Sequence, residues 1–79
     1  MDNTKRYINK INELYAENDT NAFSRAFLSL EIDNKFDEAM KDNKQIEEIF
    51  QLCIDYLDKD VTNKEEVEQQ IEQVIKSLA

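Results

Sequence analysis

Apolar residues recur along this chain with α-helical spacing, in segments separated by short polar stretches. In the first segment Tyr7, Ile11 and Leu14 fall at i, i+4 and i+7, on one face of a helix. The apolar phase is lost through residues 31–34, so residues 21–41 form either two helices or one continuous helix. The pattern predicts a single all-α domain over residues 1–79, a compact bundle of four to five short helices at about 4–16, 20–31, 34–42, 44–58 and 63–78.

The polar stretches contain the residues that start and end helices. Asp19 or Thr20 can cap the second helix by accepting a hydrogen bond from a free amide of its first turn. Thr62 and Glu65 have the spacing of a capping box ahead of the last helix. The chain has no glycine, and we expect asparagines to adopt the left-handed conformation at the breaks instead. These asparagines are Asn18, Asn34, Asn43 and Asn63.

The fourth predicted helix carries apolar residues around most of its circumference. Its main stripe contains Ile49 and Cys53, and Leu52, Ile54 and Tyr56 lie outside that stripe. A helix of this kind is usually buried on several sides, which favours a central helix wrapped by the others. The alternative is that Leu52 with Tyr56, or Ile54, stays exposed as a partner surface or as a homodimer interface through the 46–57 helix.

The composition excludes most catalytic and metal-binding motifs. Without glycine there is no phosphate-binding loop, and without histidine the commonest general base and metal ligand are missing. Cys53 is the one cysteine, and its apolar neighbours predict a buried and unreactive thiol. The acidic segment 58–69 departs from a calcium-binding loop at three positions, including the required glycine. We therefore expect no enzymatic activity, no cofactor and no bound metal.

The same features bear on where the protein is found. A single cysteine cannot form a disulfide within the chain, which fits a reducing compartment. The N-terminus lacks the basic and apolar regions of a secretion signal, and no apolar run is long enough to span a membrane. We expect a cytoplasmic protein without membrane contact.

The negative charge is concentrated in the C-terminal part of the chain. Acidic and basic residues cancel through Leu30, whereas the remaining 49 residues hold 14 acidic residues against six lysines and carry the whole net charge of −8. Direct binding to nucleic acid is disfavoured, since phosphate contacts require clustered lysine and arginine. A basic protein partner is the natural complement, although a charged surface also serves solubility alone.

These observations predict a protein-binding module that inhibits or neutralises a basic protein. Immunity proteins, antitoxins and counter-defence factors are of this physical type, and carboxylates would occupy a site made for phosphates. The predicted contact residues are acidic, apart from the apolar Leu52 and the aromatic anchor Tyr56. They are Asp37, Glu38, Glu47, Glu48, Leu52, Asp55, Tyr56 and Asp58.

A second hypothesis comes from residues 22–37. The run from Ala22 to Phe27, continued through Lys35, Phe36 and Asp37, is similar to helices in internal prohead-core proteins of large tailed phages. The similarity covers less than a quarter of the chain. It implies a self-associating structural or assembly protein, such as a phage internal or scaffold-like protein.

Overall fold

The five predicted helices are present in the computed structural model, which describes residues 3–78. Within these residues there is no strand, and a short 3₁₀ segment at Leu30–Ile32 separates the second helix from the third. The prediction of a compact all-α bundle is confirmed. The helices are α1 (Asn3–Glu17), α2 (Thr20–Ser29), α3 (Asn34–Asp42), α4 (Lys44–Leu57) and α5 (Lys64–Ser77).

The loss of apolar phase after α2 is a break between two helices. The 3₁₀ segment ends at Ile32, and the next residue, Asp33, has an extended backbone, with φ −82° and ψ 120°. Its Oδ1 accepts a hydrogen bond from the amide of Lys35 at 3.0 Å and so caps α3. The continuous helix over residues 21–41 is therefore excluded.

Short polar side chains start and end the helices through hydrogen bonds. Oδ1 of Asp19 accepts from the amide of Ala22 at 2.8 Å, which confirms the predicted cap of α2. Asn43 caps α4 in the same manner, and Nδ2 of Asn18 donates to the carbonyl of Leu14 at 2.8 Å. No described residue has a positive φ, so the expected left-handed asparagines are wrong. The side chains of Asn18 and Asn43 hydrogen-bond to free backbone groups at the helix ends, and the backbone needs no left-handed residue there.

The predicted capping box before α5 is also wrong. The helix begins at Lys64, and Asn63 rather than Thr62 occupies the cap position. The Asn63 side chain makes no hydrogen bond to the backbone of the first turn. Instead, Nδ2 of Asn63 donates to a carboxylate oxygen of Glu66 at 3.4 Å. Because Asn63 is the cap residue, Thr62 precedes the cap by one residue and does not occupy the position that a capping box requires.

Helix α4 lies at the centre of the bundle. It packs against α2, α3 and α5, while α1 packs on α2 and α3. Ile46, Ile49 and Cys53 of α4 are fully buried. The prediction of a central fourth helix is confirmed.

Aromatic rings join the first four helices through one core. Phe27 of α2 has its ring centroid 5.4 Å from that of Phe36 on α3 and 5.7 Å from that of Phe23. The Phe27–Phe36 pair is edge-to-face and the Phe27–Phe23 pair is stacked, and both kinds of contact add to the stabilisation from apolar burial. The rings of this cluster are Tyr7, Tyr15, Phe23, Phe27, Phe36 and Phe50.

The α2–α4 seam contains a buried hydroxyl next to a buried thiol. Ser24 is fully buried, and its Oγ has no hydrogen-bond partner of ordinary geometry. Burial raises the pKa of the Cys53 thiol to about 11, and the neighbouring Ser24 hydroxyl only partly opposes this shift. Cys53 is therefore a protonated core residue at neutral pH, as its sequence context predicts.

Replacing Ser24 with alanine is expected to stabilise the protein by about 1 kcal/mol, because it removes a buried hydroxyl that lacks a good partner. For a domain of this size the melting temperature should rise by about 4–8 °C. Calorimetry would measure the change. The control is Ser29→Ala, since Ser29 is exposed; its effect should stay within about 0.5 kcal/mol. A lower melting temperature for Ser24→Ala would show that the hydroxyl contributes to stability.

A hydrogen bond between distant residues ties α1 to the start of α3. The hydroxyl of Tyr7 donates to Oδ2 of Asp33 at 2.6 Å, while Oδ1 of Asp33 caps α3. This bond and the cap lower the pKa of Asp33. Burial and the neighbouring carboxylate raise the pKa of Tyr7 to about 12. The pair is therefore formed by a neutral tyrosine and an ionised aspartate.

Replacing Tyr7 with phenylalanine should change how stability depends on pH. The lowered pKa of Asp33 stabilises the fold above the ordinary aspartate pKa of about 4, and this contribution disappears as pH falls through the folded value. The raised pKa of Tyr7 contributes to folding stability below about pH 10, and this stabilisation is lost as pH rises towards 12. The advantage of wild type over Tyr7→Phe in melting temperature should thus peak at neutral pH and shrink at pH 2–3 and at pH 11. A difference independent of pH would contradict this prediction.

Candidate protein-binding surface

The outward side of α4 is a continuous exposed strip of mostly polar residues. Glu47, Gln51, Ile54 and Asp58 follow one another at i, i+4, i+7 and i+11, and all four are exposed. They lie opposite the buried stripe that contains Ile46, because that stripe faces the other helices. We call the exposed residues Lys44, Glu47, Glu48, Gln51, Ile54, Asp55 and Asp58 the α4 outer face.

The α4 outer face carries four carboxylates against one lysine, Lys44, at its start. Within residues 3–78 the ion pair with atoms closer than 4 Å is Glu72–Lys76 on α5, at 3.2 Å. The carboxylates of the outer face are thus not neutralised by a lysine or arginine of the described chain. Their charge is available to a partner.

Ile54 is the apolar residue of this face. Its exposed fraction is 42%, and it lies one helical turn from both Gln51 and Asp58. One other large apolar residue of the described chain is more exposed, Ile32 in the 3₁₀ segment, at 88%. Ile32 also has acidic neighbours, Glu31 and Asp33, but it lies in the 3₁₀ segment, which packs chiefly on α2 and α3, whereas Ile54 lies on the α4 outer face.

A depression of about 250 Å³ adjoins the C-terminal end of the outer face, where α4 turns into α5. Three carboxylates line it, those of Asp55, Asp58 and Asp60. Its remaining lining comes from Val61 and Val67 and from the amide side chains of Asn63 and Gln70. Oδ1 of Asp58 accepts from the amide of Asp60 at 2.9 Å, which holds the turn in place. The depression is therefore lined mainly by polar and negatively charged groups.

The predicted acidic contact residues fall into two groups. Glu47, Glu48, Asp55 and Asp58 lie together on the α4 outer face. The other two predicted carboxylates, Asp37 and Glu38, are exposed on α3. All six are exposed to solvent; Glu47, Glu48 and Asp55 lie on α4, and Asp58 is the residue that follows its last turn.

The two apolar members of the prediction are not exposed anchors. Tyr56 is 8% exposed, with the Nζ of Lys64 lying 4.7 Å from its ring centroid, and burial raises the pKa of its hydroxyl. Leu52 is half-buried and packs against the core. Tyr56 lies on the same buried stripe as Ile49 and Cys53, so its ring is not exposed as the predicted anchor would be.

Sequence reasoning named Ile54 as one of the apolar residues of α4 that could stay exposed, but it did not place Ile54 among the contact residues. Other residues of this region were left out altogether. No local pattern marks Asp60, Val61 and Val67 as neighbours. They meet in the depression only because α5 folds back against α4.

No group of three or more histidine, cysteine, aspartate or glutamate side chains within residues 3–78 is arranged to hold a metal ion. In the same part of the chain no helix has the length and apolar character needed to cross a membrane. Comparison of the chain with protein-family models, curated proteins and solved structures finds no significant match.

Proposed function

We propose that this protein is a small acidic helical module that binds a basic surface of another protein and neutralises it. The observation that carries the proposal is the α4 outer face, where four exposed carboxylates have no cationic partner within the described chain. The net charge of −8 would speed the encounter with a positively charged surface. The outer face belongs to a helix that is packed against three others, which favours binding without rearrangement.

The mechanism of neutralisation is occupation of a basic site. Proteins that bind nucleic acid present clustered lysine and arginine side chains to phosphates. A helix with carboxylates on successive turns offers negative charges to the same side chains and excludes the phosphate backbone. Immunity proteins, antitoxins and counter-defence factors act in this class of role, and direct binding of this protein to nucleic acid is disfavoured by its charge.

Self-association through α4, as in an assembly protein, has less support. The apolar stripe of α4 is used inside the bundle, where Ile46, Ile49 and Cys53 are fully buried. The side that remains carries four carboxylates against one lysine, so two copies meeting through it would repel each other. Sedimentation of the purified chain at low and high salt tests this alternative.

The proposal is tested by capturing partners from the native cell on immobilised protein. We expect a protein of basic isoelectric point to be retained at about 50 mM salt and released at about 500 mM, because screening shortens the reach of the charges. The purified partner should bind in solution with an affinity that falls as salt rises. If it acts on nucleic acid, that activity should be inhibited.

Matched charge variants show whether α4 is responsible. Glu47→Gln with Glu48→Gln removes two charges from the outer face, and Glu13→Gln with Glu17→Gln removes two exposed charges from α1. The α4 variant should bind the partner about tenfold more weakly, and the α1 variant should bind within about twofold of wild type. Capture of no basic protein, or affinity that does not change with salt, would refute the proposed function.

A further inference from the structure

We propose that the contact site is the C-terminal half of the α4 outer face together with the depression beside it. Its occupant is a basic segment of the partner that places an apolar side chain on Ile54 and a lysine or arginine side chain in the depression. This inference rests on the proposed function and specifies where, and with what chemistry, the partner binds.

The lining of the depression matches a long cationic side chain. Asp55, Asp58 and Asp60 supply carboxylates for the charged end, and the half-buried Val61 offers the methylene stem a small apolar contact. Lysine and arginine bury their stems on apolar surface while their charged ends meet polar groups. Asn63 and Gln70 add side-chain carbonyl oxygens that can accept from a guanidinium group.

The position of Ile54 indicates an apolar residue in the partner segment. Ile54 lies beside Asp55 in sequence and one helical turn from Asp58, so an apolar contact there adjoins the charged contacts. Apolar contact at the centre of a polar rim is typical of protein interfaces. An all-basic segment would leave the exposed surface of Ile54 uncovered.

Charge distinguishes this occupant from a second copy of the chain. A second α4 outer face brings carboxylates towards carboxylates, and the net charge of −8 adds to the repulsion. A phosphate or another anion is disfavoured by the same three aspartates. The three aspartates of the lining are complementary in charge to a cationic side chain.

The site can be tested with a probe peptide in which one leucine is flanked on both sides by arginines. Titration of the ¹⁵N-labelled protein should shift amide resonances of residues 54–70 and leave those of α1 in place. A peptide with serine in place of the leucine should bind about threefold to fivefold more weakly, because it loses the apolar contact with Ile54.

Two variants locate the contact. Asp55→Asn with Asp58→Asn removes two charges beside the depression and should weaken binding of the leucine peptide about fivefold to tenfold. The matched control, Glu13→Gln with Glu17→Gln, removes the same number of charges from α1 and should change binding less than twofold. Ile54→Ser should abolish the preference for the leucine peptide over the serine peptide. Far-ultraviolet circular dichroism confirms that each variant is folded.

The outcomes separate this inference from the proposed function. Shifts spread over all acidic surfaces, with equal losses in both charge variants, would overturn the site while leaving binding to a basic partner intact. The same conclusion would follow if Ile54→Ser kept the preference for leucine. Absence of a basic partner in the capture experiment would refute the proposed function, whatever the peptide does.

Discussion

Replacing Phe27 with alanine is expected to lower the free energy of unfolding by about 3–5 kcal/mol. Phe27 is fully buried, and its ring contacts Phe23 of its own helix, Phe36 of α3 and Phe50 of α4. Alanine would leave a cavity at the point where α2, α3 and α4 meet. Because a chain of 79 residues has a total stability of only about 4–12 kcal/mol, this loss removes a large part of it.

Urea denaturation followed by circular dichroism at 222 nm measures this loss. Leu28→Ala is a suitable control, because Leu28 is the next residue of the same helix and is only half-buried. It should cost clearly less than Phe27→Ala, since fewer contacts are lost and water can fill part of the space. A loss below about 1 kcal/mol for Phe27→Ala would mean that the aromatic cluster is not the centre of stability.

Replacing Ile71 with alanine is expected to cost about 2–5 kcal/mol and to loosen α5 before the rest of the bundle. Ile71 is fully buried, and α5 packs chiefly on α4. Helix α5 is also joined to α2 by a hydrogen bond of 2.9 Å, which the hydroxyl of Thr20 donates to the carboxylate of Glu68. The aromatic rings that join α1 to α4 do not include α5, so their packing should survive its partial detachment.

Native-state hydrogen exchange distinguishes local from global opening. In Ile71→Ala the amides of α5 should exchange faster than those of α2, whereas in Phe27→Ala both helices should lose protection together. Gln73→Ala, at an exposed position of α5, should leave exchange unchanged. Equal acceleration in α2 and α5 of Ile71→Ala would show that the bundle opens as one unit.

The same variant affects the proposed contact site. Val67 and Gln70 belong to α5, and the aspartates of the depression belong to α4 and the turn that follows it. Detachment of α5 therefore divides the depression. Ile71→Ala should weaken binding of the leucine-containing probe peptide, although Ile71 itself is buried away from the partner.

Local features of this protein were predictable because they depend on residues close together in the chain. The helical segments follow from apolar spacing, and the start of α2 follows from a cap between residues three positions apart, Asp19 and Ala22. The burial of Cys53 follows from its position between Ile49 and Leu57 on one stripe. The acidic face of α4 follows from the same periodicity, since four predicted carboxylates share its exposed side.

Other features required contacts between distant parts of the chain. The Tyr7–Asp33 hydrogen bond joins residues 26 positions apart, and no local pattern marks either residue for the other. Tyr56 has aspartates nearby in sequence, yet it is buried, and its ring is covered by Lys64 from the next helix. The unsatisfied hydroxyl of Ser24 is likewise a property of the α2–α4 seam.

The sequence by itself determined an all-α chain with polar caps, a central fourth helix and negative charge after Leu30, because spacing and charge are properties of short segments. Only the tertiary structure decided which apolar residue of α4 stays exposed. Ile54 does so, and Tyr56 does not, because α5 folds back and encloses one side of the helix. The same packing creates the acidic depression between α4 and α5, since its walls come from two helices and the turn that joins them.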